Sequence, residues 1–199
     1  MTLFDLTALG RHVLSSDRLD LETLDQSVLD DMFEYSKDPR LYRHFEIPPQ
    51  ATRNDTRAYI AKLEARMAAG NAHYWAVHER AIGRMIGSVG ALEIDPRKRD
   101  CQVGYGINPD YWRRGYFSEA LGLVIGSLFF EHHFHRISAV TQSDNLASIN
   151  GLRGLGFHIE GTLRDYYLDY RGVRHDAILL AILRSDTDAQ RFNARGPHV

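Results

Sequence analysis

The sequence predicts an α/β fold, a mixed sheet flanked by helices, in a single domain over residues 17–184. Three observations predict it. Strand and helix periodicities follow one another in the order β-α-α-β-β-β-α-β-α-β-β, with no internal repeat and no interior linker. Near the middle, residues 101–130 change from a strand pattern to a helical one across a short basic loop. At 199 residues and 44% hydrophobic content, the chain is long enough to bury one sizeable core.

Composition narrows the function classes. A net charge of −2 gives no general attraction to nucleic acid. Cys101 is the lone cysteine, so no intrachain disulfide is available and a reducing compartment is expected. The first residues lack a basic leader followed by a long apolar run. The longest apolar stretch, residues 121–130, falls short of the roughly 20 residues a membrane span needs. No membrane association and a cytoplasmic location are the resulting expectations.

Residues 1–16 are a lead-in with no clear pattern. Residues 17–21 alternate as a first strand. Thr23 or Asp25 can cap a helix carrying Val28, Leu29, Met32 and Phe33, which Asp38-Pro39 ends. Residues 40–45 form a helical turn. A second helix over 52–69 places Tyr59, Ile60, Leu63 and Met67 on one face, closed by Gly70. Strands at 74–77 and 84–94 follow, and the charged turn 95–100 leads into a strand at 101–107. Asn108-Pro109-Asp110 breaks that strand. From Phe117 the apolar residues Ala120, Leu121, Val124, Ile125, Leu128 and Phe129 recur at helical spacing. A short strand at 137–141 precedes a helix capped by Asn145 and closed by Gly156. Residues 157–183 read as a hairpin turned at Arg171-Gly172, and 185–199 as a loose polar tail.

Strand, basic glycine loop and helix together are an arrangement that can bind an anion; the alternative is a solvated arginine pair before an ordinary core helix. Amides of a first helical turn have no partners inside the helix, and the helix dipole adds positive charge there. Arg113 and Arg114 contribute fixed charge, and Gly115 lets the backbone curl. A phosphate or pyrophosphate suits such a place. The dinucleotide fingerprint is incomplete after Gly104-Tyr105-Gly106, and no Lys-Ser or Lys-Thr follows Gly115, so neither common nucleotide loop is present.

The run Tyr111-Trp112-Arg113-Arg114-Gly115-Tyr116-Phe117-Ser118-Glu119-Ala120 resembles the acyl-CoA pyrophosphate loop of the GNAT superfamily of N-acetyltransferases, and is most similar to the Rim-type ribosomal-protein branch. Trp112 stands where Gln or Arg is usual in the superfamily, and Phe117 where a small residue is usual. The predicted element order matches this family over residues 17–184. The resemblance implies a mostly antiparallel sheet splayed at the acyl-CoA site, acetyl-CoA as acyl donor and an amine as acceptor, and it allows a homodimer. It assigns the backbone of Arg113, Arg114, Gly115, Tyr116, Phe117 and Ser118 to the pyrophosphate. Tyr105, Gly106, Ile107 and Asn108 fall to the pantetheine arm and thioester.

A second matching motif is Asn145-x-x-Ser148 followed by Gly156-Phe157. By resemblance Asn145 contacts the pantetheine arm and the Ser148 hydroxyl lies near the thioester sulfur, with Asn150 assisting from the next turn. Many relatives place a tyrosine acid where this chain has Leu152, and a glutamate where it has Gln102. Ser148 is therefore the expected donor to the leaving thiolate. Glu93, on the adjacent strand, is the candidate base for the amine. The histidines of Glu131-His132-His133-Phe134-His135 are read as a polar helix end, with no metal site expected. Direct attack by an amine on acetyl-CoA in a ternary complex is the leading expectation. A module that binds acyl-CoA without turnover is the alternative.

Overall fold

Runs of β-branched and aromatic residues with period two become strands here because each has a helix to bury a face against. The computed structural model describes residues 9, 10 and 12–193. Among them a single eight-stranded sheet forms in the order β1-β2-β3-β4-β5-β6-β8-β7. The strands are β1 Leu14–Ser15, β2 Leu19–Thr23, β3 His73–Glu79, β4 Arg84–Asp95, β5 Asp100–Ile107, β6 Arg136–Gln142, β7 His158–Leu168 and β8 Arg174–Leu183. Neighbours run antiparallel except β5 and β6, which are parallel.

Helices cover both faces. On one lie α1, Leu29–Ser36, and α2, Arg53–Ala68; on the other lies α3, Tyr116–Gly126, with α4, Leu146–Gly154, beside it. Strand β3 shows how alternation serves both sides. Trp75 and Val77 join the α3 core, whereas Tyr74 and Ala76 join the α1–α2 core. Asp25 is the cap that forms, accepting from the Ser27 amide at 2.8 Å at the head of a 3₁₀ turn into α1. Thr52 and Asp55 form a reciprocal capping box on α2. The helix begun at Tyr116 ends in a π-helical turn, Ser127–Glu131, that buries Leu128 and Phe129 completely.

Two expectations need correction. The predicted loose tail instead forms a 3₁₀ turn, Thr187–Phe192, whose Ala189 and Phe192 are buried against the α3 core. Two apolar residues spaced three apart gave too weak a pattern to read in a polar stretch. Part of the unplaced lead-in is a strand, since Leu14 and Ser15 pair with Leu21 and Asp20. Residues 1–8, Arg11 and 194–199 lie outside the described residues.

Candidate active site

The sheet opens between β5 and β6. Their pairing covers only Asp100–Gln102 against Arg136–Ser138, after which β5 stays with β4 and β6 with β8. Asn108 donates its amide to the Ile86 carbonyl at 2.8 Å, which fixes the alternation of the β4–β5 ladder. Gly104 and Gly106 turn their backbone groups to β4, and Val103, Tyr105 and Ile107 turn theirs to the opening. The expected contacts of this strand are thereby sorted. The Val103 carbonyl and the edge of Tyr105 lie beyond the last β5–β6 pair and face the opening. The Ile107 carbonyl is taken by the Trp112 indole at 2.7 Å, and the Asn108 side chain caps Asp110 at 3.0 Å. Gly106 does not offer its backbone to the gap. A Cβ there would make only ordinary contact with Leu41 and Phe45, at 3.6 and 3.7 Å, so close packing does not require the glycine.

Beyond β5 the chain bends through positive φ at Arg113 (60°) and Gly115 (83°) into α3. The amides of Tyr116, Phe117 and Ser118 precede the first helical bond, Glu119 to Gly115, and Gly115 brings no side chain to cap them. Arg113, Arg114 and Ser118 are exposed at this end. Arg18, which sequence reasoning missed, braces the loop. It donates to the Arg114 carbonyl at 3.0 Å, pairs with Glu119, and lies 4.5 Å over the Tyr116 ring. Burial alone would raise the Glu119 carboxyl, but hydrogen bonds from Arg18 and Ser16 hold it below its ordinary range. Unpartnered amides, two arginines and an open strand edge are a donor set that fits a pyrophosphate and the amides of a pantetheine arm.

Inside the opening is a cleft of about 300 Å³ that reaches Tyr105, Asn145 and Ser148. Asn145 accepts from the Ser148 amide at 3.2 Å and so fixes the first turn of α4. The Ser148 hydroxyl meets the Tyr105 phenol at 2.6 Å. Burial pushes that phenol up to about 12, against a smaller opposite effect of the Ser148 bond. Its ring packs edge-on to Phe117, centroids 4.6 Å apart, and Phe117 fills the space over Gly151. That packing explains a large residue where relatives have a small one.

Glu93 is not brought to the cleft. A β-bulge between Leu92 and Asp95 puts it at φ 47°, exposed and bonded to Arg66 at 2.8 Å, while Leu92 lines the cleft instead. Asn150 is exposed and outside the lining. Among the described residues lining the cleft, Glu46 supplies the carboxylate, and Tyr166 and Tyr167 stand near it. Burial, then the charge of Glu46, raises the Tyr167 phenol, which donates to the Val140 carbonyl at 2.8 Å. Glu46 follows the predicted turn at 40–45 and carries no motif, so only the fold could bring it here. A wider hollow of about 720 Å³ at the other end of β6 holds none of the predicted site residues. Cys101 is buried and its thiol raised by that burial, unlike a nucleophile. Among the described residues no three His, Cys, Asp or Glu gather as metal ligands. No described helix is long and apolar enough to cross a membrane.

The splayed sheet with its anion loop agrees with comparison to known proteins. A family model described as an acetyltransferase (GNAT) domain matches residues 18–158. The chain belongs to the GNAT acetyltransferase family. This acetyltransferase is an acyltransferase whose family uses acetyl-CoA as donor. It is 28% identical to the uncharacterized N-acetyltransferase p20 of Bacillus licheniformis over 77% of this chain and 86% of that one. It is also 28% identical to the [ribosomal protein uS5]-alanine N-acetyltransferase of Escherichia coli, covering 72% and 78% of the two chains. Among solved structures, a GCN5-related N-acetyltransferase from Brucella melitensis shares the fold with TM-score 0.83 at 22% identity, over 94% of this chain and 86% of the other. A RimL ribosomal L7/L12 alpha-N-protein acetyltransferase in complex with coenzyme A does so with TM-score 0.78 at 20% identity, over 88% and 100%. Ribosomal-protein N-acetyltransferases are thus among the proteins this chain is similar to.

Proposed function

We propose that this acetyltransferase moves the acetyl group of acetyl-CoA to a primary amine, a protein N-terminus or a small molecule, by direct attack in a ternary complex. The observation that carries this reading is the β5–β6 opening, whose cleft holds a carboxylate and aromatic rings and whose Tyr105 packs on Phe117 at the head of the anion loop's helix. Acetyl-CoA supplies an activated thioester. Residues 113–118 would hold its pyrophosphate, and the edges of Val103 and Tyr105, with Asn145, its pantetheine arm. Ser148 would donate a hydrogen bond to the departing sulfur.

Glu46, beside Tyr166 and Tyr167, would attract and orient the incoming amine at the other end. An α-amine has an ordinary pKa of about 8 and needs little base strength, whereas a lysine, at about 10.4, needs much more. The cleft offers an exposed carboxylate, Glu46, and an imidazole, His44, a set that suits an α-amine better than a lysine. Similarity to an alanine N-acetyltransferase points the same way.

A panel of amines, assayed for release of the CoA thiol, tests the reading. Turnover is expected with peptide or amino-compound α-amines. Ser148→Ala should lower kcat at least about tenfold while changing CoA affinity much less. Binding of CoA with no turnover of any amine would replace this reading with an acyl-CoA-binding module.

A further inference from the structure

Where many relatives carry a tyrosine on the helix that follows, this chain has Leu152, fully buried and without a proton to give. A phenol nevertheless reaches the same helix from another element. Tyr105 rises from β5, across the opening, and its oxygen lies 2.6 Å from the Ser148 oxygen on α4. Both residues line the cleft. Such a short contact needs one hydroxyl to donate, and the direction decides the chemistry.

We propose that the Tyr105 phenol donates to Ser148 and so points the serine's own proton at the sulfur of the acyl donor, making Tyr105 a positioning residue for thiolate departure. The inference rests on the acetyl-transfer reading above. Three features support the direction. A phenol is the more acidic of the two hydroxyls and hence the better donor. No described acceptor other than Ser148 bonds the Tyr105 oxygen. A serine oxygen has two lone pairs and one proton, so accepting from Tyr105 leaves that proton free for a partner in the cleft. With its phenol pushed up to about 12 by burial, Tyr105 stays protonated through any working pH. Packing on Phe117 holds the ring in place.

No net transfer from the tyrosine is required. As the amine nitrogen bonds the acetyl carbon, the carbon–sulfur bond breaks and its electron pair goes to sulfur. The Ser148 proton stabilises that charge by hydrogen bonding. The proton lost by the amine neutralises the thiolate, directly or through water.

Tyr105→Phe removes the hydroxyl and keeps the ring, so it separates the bond from the packing. With an amine that the parent acetylates, Tyr105→Phe should lower kcat about fivefold or more, with the KM for acetyl-CoA little changed. Added to Ser148→Ala it should cost almost nothing further, because it acts through that serine. The second readout needs no turnover. CoA binding, measured by calorimetry across the thiol's titration near a pKa of about 8.5, should tighten as the thiolate forms in the parent, and much less in either single variant. An unchanged kcat, full additivity with Ser148→Ala, or parent-like pH dependence of CoA binding in Tyr105→Phe would overturn the proposal. A parent that binds CoA but acetylates no amine would instead overturn the acetyl-transfer reading and this proposal with it; Tyr105→Phe failing alone would leave that reading standing.

Discussion

At Gly115 the backbone angle and the ligand's charge make separate demands on one residue. Its φ of +83° is a conformation that a side chain resists, while the position a Cβ would take is nearly open, with Arg18 Nη2 the nearest atom at 3.4 Å. Strain, and not space, therefore sets the penalty of an alanine, about 1–2 kcal/mol. A glutamate adds negative charge where the loop is proposed to hold a pyrophosphate. Gly115→Ala should lower Tm by a few degrees and weaken CoA binding only modestly. Gly115→Glu should lower Tm similarly and raise the CoA Kd by more than about tenfold. Equal Kd values for the two variants would remove the pyrophosphate from this loop. The turn into α3 was legible in the sequence because a glycine between arginines and an apolar run marks a strand-to-helix break. The Tyr105 side chain was not, since its partner Ser148 lies 43 residues away and nothing local ties them.

Between elements, the join of α3 to α4 is specified by a pair of residues. A Cβ on Gly151 would lie 2.7 Å from the Phe117 ring, which is itself fixed against Tyr105. In an ordinary exposed helix Gly→Ala stabilises by about 1 kcal/mol. Here overpacking of about 1–3 kcal/mol opposes that gain, so Gly151→Ala should be destabilising. Shrinking the ring by Phe117→Ala in the same molecule should return part of the loss, a coupling that denaturant unfolding of the two single variants and the double variant would detect. Independent, additive effects would show that the ring moves aside freely. Sequence gave a fair account of α3 and α4 as helices, since their apolar spacing is local. The large residue at 117 could be understood only once Gly151 was seen beneath it. The placement of Glu93 was hidden for a related reason. A bulge in β4 turns it away to Arg66, and a period-two pattern carries no signal for one extra residue.

For the whole molecule, element order was readable over residues 17–184, where strands and helices change period cleanly, but not in the lead-in or the tail. The parallel contact of β5 with β6, and the gap beyond it, depend on residues far apart in the chain, so no local pattern carries them and the splay was expected from the family resemblance alone. The same long-range packing puts His73 of β3 almost out of water, edge-on to Trp75 at 4.4 Å and 3.4 Å from the Thr23 hydroxyl, with Gly10 packed close against it. Burial first, and then the charge of His132, lowers its pKa to about 4. In the unfolded chain an ordinary histidine titrates near about 6.5. Between those values the unfolded chain binds a proton that the folded one refuses, so stability rises with pH across this window and is lost as pH falls from about 6.5 toward 4. A shift of that size is worth up to about 3 kcal/mol over the window. Urea unfolding at pH 7 and pH 4.5 should therefore show a larger fall in stability for the parent than for His73→Gln, which cannot take up the proton. The variant starts lower at pH 7 because it loses the packing on Trp75, and the two curves should converge on acidification. Parallel curves would assign the acid sensitivity to other groups and leave His73 a neutral packing residue.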